Sequence, residues 1–175
     1  MVHAIRVHRT GGPEVLSWEE VDIGAPGPGQ VRLHQEAVGL NYIDVYHRTG
    51  LYPQHLPFTP GVEGAGIVDS VGEGVTTLLA GGRVAYAGPI GGYAEQRLID
   101  ADRLVKLPDD ITFDLAAAMM LQGLTAHMLL RSVYEVKPGD TILIHAAAGG
   151  VGLIVCQWAN ALGATVIGTV GSDEK

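Results

Sequence analysis

The chain has 175 residues, is 47% hydrophobic and carries a formal net charge of −8, so it is long enough to bury a core and too apolar to be disordered. An acidic balance argues against a nucleic-acid surface, which needs clustered Lys and Arg. Cys156 stands alone, which excludes an internal disulfide, and no apolar run of signal-peptide or membrane-spanning length is present, so the expected location is the cytoplasm.

Twenty-five glycines and nine prolines make the chain turn-rich, as many short strands require. Up to about residue 110 the hydrophobic period is two. Strands are predicted at 4–8, 15–21, 30–37, 64–71, 83–86, 93–98 and 104–106, with turns such as Gly11-Gly12-Pro13 and 24–29 between them. The segment 30–37 alternates most clearly and places Val31, Leu33 and Ala37 on one face. A short helix is predicted at 42–48. The pattern describes a barrel-like β domain over residues 1–112.

After Leu107-Pro108 the pattern turns helical, from Asp114 to about Tyr134, with Thr112 as the N-cap. Lys137-Pro138-Gly139-Asp140 then leads into an apolar run at 141–144, the turn His145-Ala146-Ala147-Ala148-Gly149-Gly150-Val151-Gly152, and a helical stripe of Val151, Val155, Trp158 and Leu162. A second apolar run follows at 164–167. Strand, glycine turn, helix and strand compose a dinucleotide-binding βαβ unit, in which free N–H groups at the helix start meet a pyrophosphate. Ala146 occupies the place of the first glycine in G-x-G-x-x-G. A doubly wound nucleotide domain has about six strands, and only two are legible here. The expectation is therefore a truncated cofactor domain, 113–175, whose first strand has an unpaired edge.

These motifs together resemble the zinc-independent quinone oxidoreductases (ζ-crystallin type) of the medium-chain dehydrogenase/reductase superfamily, over essentially the whole chain. The resemblance rests on Gly11-Gly12-Pro13-Glu14-Val15-Leu16, Gly39-Leu40-Asn41-Tyr42-Ile43-Asp44-Val45-Tyr46, Arg48-Thr49-Gly50-Leu51-Tyr52-Pro53, Pro60-Gly61-Val62-Glu63-Gly64-Ala65-Gly66 and the glycine turn with Gln157-Trp158-Ala159. It implies an α/β protein: a GroES-like β-barrel catalytic domain followed by the start of a Rossmann domain, with the cofactor in the cleft between them. By the same resemblance Asn41, Asp44 and Tyr46 face the nicotinamide end, with Met120 and Thr125 opposite, while Gly149, Gly150, Val151 and Gly152 cradle the pyrophosphate. The second strand's tip, Thr169-Val170-Gly171, lacks the acid that holds an NAD ribose, and Lys175 matches a family lysine on the 2′-phosphate, so NADPH is the expected cofactor. Tyr46 and Tyr52 are the catalytic candidates, either orienting a quinone and donating a proton or only lining the pocket. Gln122 is assigned no role, and Glu63 a structural one.

Zinc-dependent members of the superfamily place ligands where this chain has Asn41 and Val62, and the seven histidines form no ligand pair, so no metal is expected. Without zinc the developing oxyanion must be tolerable by itself. A phenolate, with pKa ~10, lies roughly 4 kcal/mol uphill at neutral pH, against about 12 kcal/mol for an alkoxide as basic as hydroxide. That difference favours quinones and conjugated carbonyls over plain alcohols. The implied activity is NADPH-dependent quinone reduction, by hydride or by separate electron and proton transfers, in a full-length homodimer. Enone or enal double-bond reduction, or NADPH or RNA binding without turnover, stand as alternatives. The 175-residue chain alone is expected to be inactive.

Overall fold

The computed structural model describes residues 1–172 and Glu174. The chain divides into two compact units, Met1–Met120 and Leu121–Lys175.

The first unit opens with a hairpin: β1 (Val2–Val7) pairs antiparallel with β2 (Leu16–Val21), setting Val2 opposite Val21. A 3₁₀ turn at Pro13–Val15 precedes β2 and buries Val15, so this strand starts later than its β-branched residue predicts. Proline favours that first helical position because its φ is preset and no N–H is wasted. Next come β3 (Gln30–Val38), α1 (Tyr42–Thr49), β4 (Glu63–Val71), β5 (Arg83–Ala87), β6 (Gln96–Asp100) and β7 (Val105–Lys106). Their strands form an antiparallel sheet in the order β6-β3-β4-β5-β7. Isolated bridges from Ala4 to Ala94 and from Val7 to Phe58 tie the hairpin to this unit. The ladder ends at β6 and β7, giving a sheet and a hairpin rather than one hydrogen-bonded ring among the described residues.

Alternation on β3 buries Val31 and Leu33 with Val68, Val84, Tyr86 and Ile99. Ala37 departs from the expected face and packs near Ala65, Ala85, Ala116 and Ala117. The cause is a register shift between Gln35 and Ala37, since one extra residue in a strand re-aims every side chain beyond it. β6 likewise starts at Gln96 and not at residue 93. Tyr93 N–H donates to Pro60 O and Ala94 bridges Ala4, so both are spent before the ladder with β3 begins.

α2 (Phe113–His127) starts where expected, its third N–H donating to Thr112 Oγ1 at 3.2 Å. It runs on as a π-helical segment, Met128–Val133, which the periodicity does not reveal. Together these 21 residues are long and apolar enough to cross a membrane by length and composition, although no uninterrupted apolar run spans them. Ala116 and Ala117 are buried in the first unit, and Ala126 and Leu130 in the second.

In the second unit β8 (Thr141–Ile144) and β9 (Thr165–Gly168) pair in parallel, joined by α3 (Gly150–Ala161). Val155 and Ala159 on α3 pack with Ala126, Leu130, Val136 and Ala164. β8 pairs on one edge alone among the described residues.

Leu33 has no exposed surface and makes no polar contact through its side chain. Leu33→Ala is expected to lower the free energy of unfolding by about 3 kcal/mol, read as a lower urea midpoint at unchanged slope.

Candidate functional site

In the first unit the sequence-predicted residues converge on the N-terminus of α1. Asn41 is the N-cap, extended at φ −128° and ψ 152°, and its N–H donates to Asp44 Oδ2 at 3.0 Å. That is the reaching-back half of a capping box, and it buries both residues. The Asn41 side chain turns the other way, donating from Nδ2 to Glu63 Oε1 at 2.6 Å. Glu63 opens β4 and is 1% exposed. A β-carbon on Gly39 would overlap both Glu63 Oε1 and Ala117 O, so the backbone at 39 passes this carboxylate only as glycine.

Asp44 is tied from a second direction. Tyr93 OH donates to its Oδ2 at 2.7 Å, while Oδ1 is buried with no hydrogen-bond partner among the described residues. Burial, first, and then the bond to Asp44 push the Tyr93 phenol well above its ordinary range. Gln35 accepts from Tyr86 OH and donates to Ala94 O at 2.9 Å, bracing the same loop. Tyr93 and Gln35 escaped the sequence reading, because neither lies in a motif and each meets its partner across some fifty residues. Glu63, expected to be structural, is buried.

The two tyrosine candidates lie together. Tyr46 meets Tyr52 with ring centroids 5.2 Å apart and Tyr42 edge-on at 5.2 Å. Tyr52 is 48% exposed, so its phenol reaches solvent. Beside them His47 is buried, its Nδ1 without a hydrogen-bond partner among the described residues, and burial lowers its pKa against the opposing pull of Asp44. Met120 is half-buried near Ala116 and Ala117.

In the second unit Thr125 donates from Oγ1 to Leu121 O at 2.8 Å, so its donor is already used within the helix. The glycine turn is built for close approach. Gly149 is the extended N-cap of α3, and the first N–H to find its carbonyl is that of Leu153, at 2.8 Å. The preceding N–H groups form the free helix end. A β-carbon on Gly152 would meet Ala147 O at 2.6 Å, which fixes how tightly helix and turn pack. A cavity of about 560 Å³ opens here, lined in part by Ile144, His145, Gly149, Gly150 and Val151. Ala146 adopts φ 54°, the left-handed region that glycine would occupy without strain. His145 and Thr169, at the two strand ends, are 3.0 Å apart through Nδ1 and Oγ1. The Lys175 assignment lies outside the described residues. Among the described residues no three His, Cys, Asp or Glu side chains gather as a metal site.

Residues 27–109 match the alcohol dehydrogenase GroES-like domain, and the β-rich first unit carries that match. The whole chain is 54% identical, over 177 aligned residues, to a quinone oxidoreductase of Pseudomonas aeruginosa, of which it covers 54%. In structure, 98% of it superimposes on 53% of the Escherichia coli quinone oxidoreductase solved with NADPH, with TM-score 0.95 and 49% identity. Over its whole length the chain is similar to proteins named quinone oxidoreductases. A 2-haloacrylate reductase of a Burkholderia species is 49% identical over the whole chain and 55% of its own length. The chain spans about half the length of the curated relatives it matches.

Two predictions follow from this geometry. Tyr93→Phe leaves a buried carboxylate oxygen with one donor fewer and should cost about 1–3 kcal/mol of stability. Because the folded-state pKa of Tyr93 is raised, its contribution is complete below about pH 10 and is lost as pH rises above that value. Alkaline unfolding curves should therefore fall less steeply in the variant. Ala146→Gly removes left-handed strain at some entropic cost, with a net gain of about 0.5–1 kcal/mol in urea unfolding.

Proposed function

We propose that this chain belongs to an NADPH-dependent quinone reductase, of which residues 1–112 supply the GroES-like, barrel-type catalytic domain and residues 113–175 begin the Rossmann cofactor domain. The observation that carries the reading is the glycine turn. A free helix N-terminus, with Gly149 extended and Gly152 packed on the turn, offers backbone N–H groups to a pyrophosphate with no side chain of residues 149, 150 or 152 between them. Gly149, Gly150, Val151 and Gly152 would hold it, and Lys175 the 2′-phosphate. NADPH, when bound, supplies the hydride or the electrons.

The chain's own residues then have distinct tasks. Asn41 is fixed in orientation by its bond to Glu63, so it presents one rigid amide to the nicotinamide end. Asp44 acts through Asn41 and Tyr93, holding α1 in place. Tyr46 carries its phenol on the same helix, with Met120 and Thr125 as further nicotinamide contacts. Tyr46 and Tyr52 offer flat aromatic faces and hydroxyls to a planar quinone, stacking it and hydrogen-bonding a carbonyl oxygen. A hydroquinone anion is stable enough to form without a metal, which suits a site offering a neutral amide and phenols. The protein is proposed to be cytoplasmic and dimeric, without nucleic acid or membrane partners.

One observation favours a second reading. The likeness to a 2-haloacrylate reductase makes reduction of an activated carbon–carbon double bond the nearest competitor.

The test is oxidation of NADPH and NADH by the full-length protein with 1,4-benzoquinone and with a conjugated enone. Faster turnover with NADPH and quinone is expected, and Tyr52→Phe should lower kcat/KM for quinone by about tenfold or less if the phenol only orients substrate. Turnover of the enone alone would move the assignment to double-bond reduction.

A further inference from the structure

Gln122 lies on α2 between the predicted contacts Met120 and Thr125 and stands over the glycine turn. A β-carbon on Gly150 would come within 2.5 Å of Gln122 Oε1 and 2.6 Å of its Cδ and Nε2. Gly150 is therefore small for a second reason besides phosphate approach: an amide side chain occupies the space above it. Gln122 is half-buried, and among the described residues no hydrogen bond engages its amide. Its stem is held on a helix while two N–H donors stay open at the mouth of α3. An amide that served only to fill space over glycine could be replaced by an apolar side chain without leaving polar atoms unmatched.

The charge pattern points the same way. Residues 138–172, which hold the turn, both strands and α3, contain no Lys or Arg. Within this stretch phosphate charge at the turn meets only dipoles: the N–H groups of the helix end and whatever neutral donors reach it. We propose that Gln122 is a cofactor-binding residue whose Nε2 donates to a pyrophosphate oxygen held on Gly149–Gly152. This rests on the dinucleotide reading above and adds to it a neutral side-chain donor from α2. A neutral donor also implies that binding at this turn depends weakly on salt, because no mobile cation pair is formed there.

Full-length protein titrated with NADP⁺ by calorimetry, as wild type, Gln122→Ala and Gln122→Glu, provides the test. Losing one hydrogen bond to a charged oxygen should weaken binding by about tenfold in Gln122→Ala at about pH 7.5. Gln122→Glu keeps the shape, replaces the donors with a negative charge, and should bind more weakly still. Near pH 5 the Glu variant should recover as its carboxyl protonates, while the Ala variant should not. That recovery distinguishes a phosphate contact from simple packing on Gly150, which proton uptake would not restore. Unchanged affinity in Gln122→Glu, with wild type binding normally, overturns the assignment of Gln122 alone. Failure of the wild type to bind NADP⁺ overturns the cofactor reading and this inference with it.

Discussion

Glu63 is 1% exposed at the first residue of β4, and a carboxylate removed from water costs several kcal/mol unless donors surround it. Much of the first unit can be understood from that requirement. Asn41 gives one donor, which fixes the side chain of the residue capping α1. Its N–H is thereby left to Asp44, and Asp44 in turn takes Tyr93. Gly39 has no side chain because the carboxylate and Ala117 O fill the volume. A strand end, a helix start and a distant tyrosine are locked by one demand for hydrogen bonds, and Tyr46 is carried one turn further along the same helix.

The second unit answers a different constraint. There the backbone lies open, because positions 149, 150 and 152 carry no side chain, and the polar group over it, the Gln122 amide, comes from α2. Ala146 is the exception, bearing a β-carbon in a left-handed conformation four residues before the helix is under way. Tightness between turn and helix is great enough to hold that residue against its own preference. The first unit thus crowds polar groups around Glu63 and Asp44, while the second leaves three positions of its turn without side chains.

Strand and helix positions were legible because period two and period 3.6 report directly on which face is buried. Val31 and Leu33 on β3 and Val155 and Ala159 on α3 illustrate this. Three features were not legible. The bulge that turns Ala37 from its expected face depends on pairing with β4, which local sequence does not encode. The late start of β6 reflects Tyr93 and Ala94 being claimed by Pro60 and Ala4. The π-helical segment after α2 obeys no hydrophobic period of its own. Asn41, Tyr46 and Gly149 stand in motifs and can be put forward as candidates from the chain alone. Gln35 and Tyr93, which brace the Asn41 region, cannot, since a supporting residue is defined by its partner and the partner is remote.

Arg97 carries a consequence of another kind. Its guanidinium is buried, donates to Pro89 O and Ile90 O at 3.1 and 2.8 Å, and lies 4.8 Å from the centre of the Tyr86 ring. Gly91 and Gly92 add N–H bonds to Gly61 O. By composition this glycine-containing loop would open first, with its amides exchanging protons independently of the sheet. A permanently charged group anchored in β6 instead makes local opening equivalent to exposing part of the core. The contacts thus tie opening of the loop to disruption of the sheet, so its amides are expected to exchange with those of the core.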